Sequence, residues 1–146
     1  MHFEGAFEVP ASRREVYDFL TQPKELVTIL PDVQESKVVD HSNFEVRAKV
    51  GISYIRGSVA LRFQIAEKKP QAFAKLVGRG SGIQSTIDLT LGIGLQESAS
   101  GGTSATWTAD ANVGGLLASV GNRLLSTVAE KYINQVTEAL KKKFSP

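Results

Sequence analysis

The order of residue patterns along the chain restricts its fold more than any other feature. Five segments in which apolar and polar residues alternate, as in half-buried strands, precede one long stretch of helical spacing. The strands follow one another closely, which favours an antiparallel sheet. We therefore predict an α+β domain in which a curved antiparallel sheet wraps around a long C-terminal helix. The strands are predicted in residues 44–50, 54–65, 72–80, 83–93 and 103–113, and the helix from about Leu116 to Phe144.

The N-terminal segment predicts one more strand and two short helices. Residues 2–9 alternate in polarity like a strand. Ser12 and Glu15 have the S-x-x-E spacing of a capping box, so a helix should start after Ser12. Pro23 suits the first turn of a second short helix, which Pro31 should end.

Length and composition exclude several classes of protein. A chain of 146 residues suits one domain, and we expect residues 1–146 to form it. The absence of cysteine excludes disulfides and thiolate metal sites, and it favours a reducing compartment. The net charge of +2 is too small for a nucleic-acid-binding surface. No window reaches the roughly 18 apolar residues of a membrane span. We therefore expect a cytoplasmic protein that binds no nucleic acid.

Side chains suited to catalysis or to metal binding are scarce. His2 lies on the polar side of the first strand and His41 in the predicted turn DHSN, so neither suits a Ser-His-Asp triad or a histidine metal site. The glycines of VGRGSGIQ lack phosphate-loop spacing and lie between two strands, where we expect a bend or bulge. These residues predict no catalytic group, no metal site and no cofactor.

Lys141, Lys142 and Lys143 form the one dense basic patch of the sequence. They could contact an anionic membrane or an acidic partner. They could equally be a solvated helix end whose positive charges favour the helix dipole. The sequence leaves both interpretations open.

Gly121 lies inside the predicted long helix, where a glycine costs roughly 1 kcal/mol relative to alanine. Two reasons could explain it. The missing side chain could let a strand approach closely. Alternatively, it could leave a space bounded by Leu117, Val120 and Leu124, which would begin a ligand cavity.

Four stretches carry a family resemblance that covers nearly the whole chain. They are VPASRREVYDFLTQPKELVTILPDV, YIRGSVAL with its Gly57, GGTSATWTADANVGG and, most specific of all, GGLLASVGNRLL. In these stretches, and at Gly5, the chain resembles the CoxG family of carbon monoxide dehydrogenase subunits, within the START-like (SRPBCC) helix-grip superfamily. It departs from the family pattern at Tyr17, Gln22 and Pro31-Asp32, where tryptophan, Asp and Pro-Gly are common.

The resemblance implies a seven-stranded antiparallel sheet that grips the C-terminal helix around an apolar cavity. Such cavities hold lipids, isoprenoids or other lipophilic molecules, and a quinone is the first ligand to expect. Family members are accessory proteins of aerobic carbon monoxide dehydrogenase and related molybdenum hydroxylases. Some carry a C-terminal membrane anchor, which these residues do not contain. We therefore expect at most a peripheral contact with the inner face of the membrane, through Lys141, Lys142 and Lys143.

These observations together predict a START-like, non-enzymatic binding protein for a lipophilic ligand that works beside a redox enzyme. Two alternatives stay open. A small cavity enzyme, such as a cyclase or hydrolase, would place a polar dyad inside the cavity. A ligand-free interaction or assembly module would have a packed interior. The residues predicted to contact the ligand are Ile55, Val59, Leu61, Phe63, Ile87, Trp107, Leu117, Val120, Gly121 and Leu124.

Overall fold

The computed structural model describes residues 1–145, which contain one seven-stranded sheet with all neighbouring strands antiparallel, as predicted. The strands are β1 (His2–Val9), β2 (Val33–Val38), β3 (Asn43–Ile52), β4 (Ile55–Lys69), β5 (Phe73–Gly82), β6 (Ser85–Glu97) and β7 (Thr103–Gly115). Their order across the sheet is β1-β7-β6-β5-β4-β3-β2. Successive hairpins from β2 to β7 therefore build the sheet, and the N-terminal strand joins it beside β7.

Two short helices follow β1, and one long helix ends the chain, as predicted. They are α1 (Arg13–Leu20), α2 (Pro23–Leu26), which continues into a 3₁₀ turn over Val27–Ile29, and α3 (Asn122–Lys143). Ser12 caps α1, because its hydroxyl oxygen accepts a hydrogen bond from the backbone N–H of Glu15 at 3.2 Å. Within residues 1–145, no helix is both long and apolar enough to cross a bilayer.

The start of the long helix differs from the prediction. A 3₁₀ helix spans Leu117–Val120, and α3 begins only at Asn122. Gly121 separates the two with φ 96° and ψ 151°, a backbone conformation that is essentially restricted to glycine. Gly121 is therefore not in a helix interior, and both explanations offered for it are wrong. A Cβ there would meet nothing within 4 Å, and the residue faces solvent.

β2 is the strand that the residue pattern does not predict, although the family resemblance implies seven strands. Five of its six residues are exposed, and only Val33 packs against the core. A strand without a buried face shows no alternation of polarity. Its position at one edge of the sheet explains this exposure.

The glycines of VGRGSGIQ lie in β5 and make no bulge with β4, so that prediction is wrong. Phe63 pairs with Gly78 and Leu61 with Gly80 in unbroken register, and the register shift between these strands falls at Ile65/Glu67. A Cβ on Gly78 would lie 2.6 Å from the Phe63 ring. Glycine at 78 and 80 therefore makes room for large side chains of β4 on the inner face of the sheet.

Candidate ligand cavity

The apolar interior is divided into two clusters of buried side chains. The larger cluster includes Phe7, Phe44, Phe63 and Leu140, and the smaller one is formed by Val50, Ile52, Ile55, Val59, Leu117 and Leu125. A cavity of about 390 Å³ takes its lining from both clusters. Leu61 packs against both clusters and also lines the cavity.

The inner face of the sheet forms one wall of this cavity. β6 illustrates the pattern, because Ile87, Leu89, Leu91 and Ile93 all line the cavity and all remain half-buried. Apolar side chains that point inward usually become fully buried. Their residual exposure here is therefore to the cavity. Residues of the other strands also face inward and line the cavity. They include Leu61, Leu76, Val46, Val59, Phe63, Ala109 and Val113.

The long helix α3 forms the opposite wall. Its lining residues repeat at intervals of three and one along the whole helix, which places them in a wide stripe over about half of its surface. The stripe consists of Leu125, Val128, Ala129, Tyr132, Ile133, Val136, Thr137 and Leu140. None of the stripe residues is among the predicted ligand contacts. They could have been found by continuing the helical spacing onward from Leu125.

Trp107 lies on the inner face of β7, opposite Gly5 of β1. A Cβ on Gly5 would lie 2.6 Å from Trp107 Cζ2, so the indole ring packs against the position that Gly5 leaves empty. The glycine therefore allows the largest side chain of the sheet to lie along the cavity wall. This contact gives a physical reason for a glycine in β1.

Polar side chains are few on the cavity side. Four polar strand residues touch the lining, but neighbours on both sides of each face inward, so their side chains point to the outer face. They are Lys49, Lys75, Thr108 and Asp110. Tyr132 and Thr137 of α3 remain. Burial, reinforced by the negative charge of Asp32, raises the pKa of Tyr132 and keeps its phenol protonated. None of the side-chain hydrogen bonds within residues 1–145 involves that hydroxyl, and no buried side-chain oxygen there lacks a partner, so the hydroxyl keeps contact with solvent.

Six of the predicted ligand contacts line the cavity together: Val59, Leu61, Phe63, Ile87, Trp107 and Leu117. The other four lie outside the lining. Ile55 is buried in the smaller cluster and Val120 packs against it, while Gly121 is exposed and Leu124 is 37% exposed. The break before α3 explains the positions of three of these four, because the helical spacing does not continue across it. Whether any of the ten predicted residues contacts a ligand stays a prediction.

The two histidines and the C-terminal lysines lie away from the cavity. His2 is exposed, with Nδ1 2.7 Å from Asp110 Oδ1 and Nε2 3.3 Å from Glu4 Oε2. Its hydrogen bond to Asp110, followed by that to Glu4, raises the pKa of His2. Within residues 1–145, no three His, Asp or Glu side chains are grouped so that they could hold a metal ion.

A second, larger concavity of about 650 Å³ lies on the outer face of β2 to β5. Its lining is charged, and two of its arginines are paired: Arg62 with Glu45 at 3.1 Å and Arg79 with Asp88 at 3.2 Å. Both arginines are more than four-fifths exposed, and such surface pairs contribute little binding energy. The inner cavity is therefore the better candidate for a ligand site.

Several solved structures share this architecture. A conserved protein from Geobacillus kaustophilus is 23% identical, with a TM-score of 0.88 over 99% of this chain and 95% of that chain. A START superfamily protein from Mycobacterium smegmatis is 11% identical, with a TM-score of 0.73 over 98% and 96%. The Zhui aromatase/cyclase from Streptomyces sp. R1128 is 14% identical, with a TM-score of 0.67 over 98% and 92%. These likenesses show a START-like fold.

The comparison of sequences is more specific than that of structures. No protein of curated function matches the chain. The model of one family, the CoxG subunit of carbon monoxide dehydrogenase, matches residues 5–145, which is almost the whole sequence. The chain therefore belongs to the CoxG family of carbon monoxide dehydrogenase subunits.

Proposed function

We propose that this protein is a non-enzymatic carrier of a lipophilic ligand, with a quinone as the first candidate and a lipid as the second. It works beside a carbon monoxide dehydrogenase or a related molybdenum hydroxylase, and residues 1–146 form one ligand-binding domain. The observation that carries the proposal is the apolar cavity of about 390 Å³ between sheet and helix. Its size falls in the range of small-molecule sites, roughly 300–1,000 Å³.

The cavity supports a ligand-binding role over a ligand-free interaction module. A module that acts only through its surface gains nothing from an unfilled interior, because voids in a core cost stability. Half-buried inner side chains such as Leu61, Leu76 and Leu89 would lose their remaining exposure when an apolar molecule enters. This burial would supply the binding free energy at about 25 cal/mol per Å² of apolar surface.

The polar groups of the lining support a carrier over a cavity enzyme. Acid–base catalysis needs two groups that converge on the same substrate atoms. Tyr132 and Thr137 are five positions apart on α3, so their side chains leave the helix about 140° from each other. They do not form a dyad. Catalysis and metal chemistry are therefore not part of the proposal.

Tyr132 supports a ligand that carries a hydrogen-bond acceptor. Its phenol is protonated, has no acceptor within residues 1–145, and belongs to a residue of the cavity lining. The hydroxyl is free to bond to water, and a ligand oxygen that takes the place of this water would accept the same hydrogen bond. Quinone carbonyl oxygens have this chemistry, whereas a hydrocarbon chain does not.

Binding can be measured through Trp107, the single tryptophan of the sequence, which lies in the lining. We expect decylubiquinone or a short-chain menaquinone analogue to quench its emission with micromolar affinity. Ala129→Phe places a ring in the cavity from α3 and should weaken binding tenfold or more, about 1.4 kcal/mol. Ala60→Phe makes the same change on an exposed outer-face residue of β4 and should leave affinity unchanged. Equal affinities for both variants would refute this site.

Tyr132→Phe tests the chemical class of the ligand. Loss of one hydrogen bond of about 0.5–1.5 kcal/mol should weaken quinone binding roughly 2–10-fold. Diphenylhexatriene, a probe without acceptors, should bind both proteins equally. If the substitution leaves quinone binding unchanged, the ligand makes no hydrogen bond there and a simple lipid chain becomes the better candidate.

A further inference from the structure

β2 leaves one edge of the sheet open. β3 lies on one side of β2, and no strand of residues 1–145 lies on the other. The four large apolar side chains that are exposed within the described residues are Val38, Val39, Tyr54 and Leu124, and two of these are neighbours at this edge. Open edges with exposed apolar residues are sites where another strand can pair.

The backbone of β2 presents free hydrogen-bonding groups to this side. The N–H of Val39 donates to the carbonyl oxygen of Asn43 at 2.9 Å, so Val39 faces β3. In an antiparallel ladder the backbone groups of alternate residues point in opposite directions. Ser36 and Val38 therefore direct their N–H and C=O groups away from β3 and into solvent.

The side chains of β2 are complementary to those of a second, antiparallel copy. The edge reads VQESKVV over residues 33–39. When two copies pair around a two-fold axis at Ser36, Glu35 lies opposite the partner's Lys37, and Lys37 lies opposite the partner's Glu35. The β-bulge between Val33 and Glu35 limits this regular register to residues 35–39. Opposite charges at such cross-strand positions stabilise pairing, and like charges destabilise it.

The two charged side chains of this edge point to the same face. Val38 and Ser36 pair with Phe44 and Val46, both of which belong to the core, so Glu35 and Lys37, between and beside them, point outward. Neither Glu35 nor Lys37 makes an ion pair within residues 1–145. Their cross-strand neighbours on β3 are Arg47 for Glu35 and Glu45 for Lys37, so in the dimer each side chain would lie between an opposite charge of its own chain and one of the partner copy.

We propose that the protein associates with a second copy through antiparallel pairing of the two β2 edges, which joins two seven-stranded sheets across a two-fold axis. The contact is isologous, because each copy uses the same strand. One strand from each copy makes the contact, so the interface is small, and small interfaces give weak association. We expect a dissociation constant in the micromolar range or weaker. Val33 is the one residue of β2 that also lines the cavity, and residues 35–39 lie outside the lining, so this proposal does not rest on ligand binding.

Analytical ultracentrifugation over about 5 μM to 1 mM protein tests the proposal. Glu35→Lys and Lys37→Glu each create two contacts between like charges, one at each symmetry-related position of the dimer. Each change should weaken self-association tenfold or more. An equimolar mixture of the two single variants should form a heterodimer. Glu130→Lys, on the exposed side of α3, makes the same charge change and should have no effect.

Ser36→Pro gives a second test that does not depend on charge. Proline lacks the N–H that would donate to the partner, and the bond it removes is not part of the β2–β3 ladder. The variant should keep its circular dichroism spectrum and melting temperature but remain monomeric. Wild-type protein that stays monomeric over the whole concentration range would overturn the proposal. A dimer that survives Ser36→Pro, or an equimolar mixture of the two single variants that forms no heterodimer, would overturn it as well.

Discussion

Replacing Gly121 by alanine should destabilise the protein although the new methyl group meets no neighbour. At φ 96° and ψ 151°, a residue with a Cβ is strained by about 1–3 kcal/mol. Alanine also reduces the entropy of the unfolded chain, which offsets about 0.4–1 kcal/mol. A net loss of about 1–2 kcal/mol remains. For 146 residues, an unfolding entropy of about 2.1 cal/mol/K per residue converts each kcal/mol into roughly 3 °C of melting temperature.

Gly51→Ala is the matched control for this prediction. A Cβ on Gly51 also meets nothing within 4 Å, but Gly51 is not among the glycines with positive φ. Alanine there should leave stability unchanged or raise it by up to about 1 kcal/mol. The two variants therefore differ in backbone conformation and not in available space.

Thermal unfolding followed by circular dichroism measures both variants, and Gly121→Leu completes the set. Strain depends on the presence of a Cβ, so leucine should cost about as much as alanine at this open position. Overpacking would make leucine much worse. A Gly121→Ala protein that melts at or above the wild-type temperature would refute the assignment of strain to this residue.

Three further changes have expected outcomes. Gly5→Ala should displace the Trp107 ring, shift its fluorescence maximum and lower stability by about 1–3 kcal/mol. His2 is held protonated by Asp110, so its contribution to stability is present below the unfolded pKa near 6.5 and is lost as pH rises through the higher folded pKa. His2→Gln should remove that pH dependence in melts between about pH 6 and 8, and an unchanged pH profile would contradict it. Changing lysines 141–143 together to glutamate should leave melting nearly unchanged. If this patch contacts membranes, the change also weakens co-sedimentation with anionic vesicles at low salt, whereas equal co-sedimentation at every salt concentration would identify a solvated helix end.

The strands could be predicted because most of them have one buried face. In β4, the residues at alternate positions Ile55, Val59 and Phe63 are all at most 5% exposed, and this period of two is visible in the residues themselves. β2 lacks a buried face and therefore lacks the signal. The same reasoning explains why a family resemblance implied the seventh strand while the residue pattern did not.

The helix break could not be predicted from side-chain spacing. Leu117 and Val120 before Gly121, and Leu124 and Leu125 after it, keep apolar residues at intervals that suit a continuous helix. The φ angle of the glycine is a property of the backbone, and periodicity carries no information about it. The helix after the break does not continue the helical spacing of the residues before it. As a result, Leu125 faces the cavity and Leu124 faces solvent.

The sequence predicts only part of the cavity wall. The alternation of residues along a strand identifies its inner face, but it does not identify which other element packs over that face. Ile55 and Leu61 share the inner face of β4. Ile55 is packed in the smaller cluster at 3% exposure, whereas Leu61 lines the cavity and is half-buried. The difference depends on how closely α3 approaches each point of the sheet. That distance is set by the whole fold and has no local signature in the sequence.

An interior space that stays dry would make the protein sensitive to hydrostatic pressure. A dry void of about 390 Å³ corresponds to about 235 mL/mol, an upper bound on the volume that unfolding would eliminate and well above the roughly 20–100 mL/mol of ordinary unfolding. Pressure would then unfold the empty protein unusually easily. Water inside the space, or a bound apolar molecule, would remove most of this compressible volume. The pressure at which half of the protein is unfolded therefore reports how much of the cavity is filled. This also holds in crude extracts, where a bound molecule has not been identified.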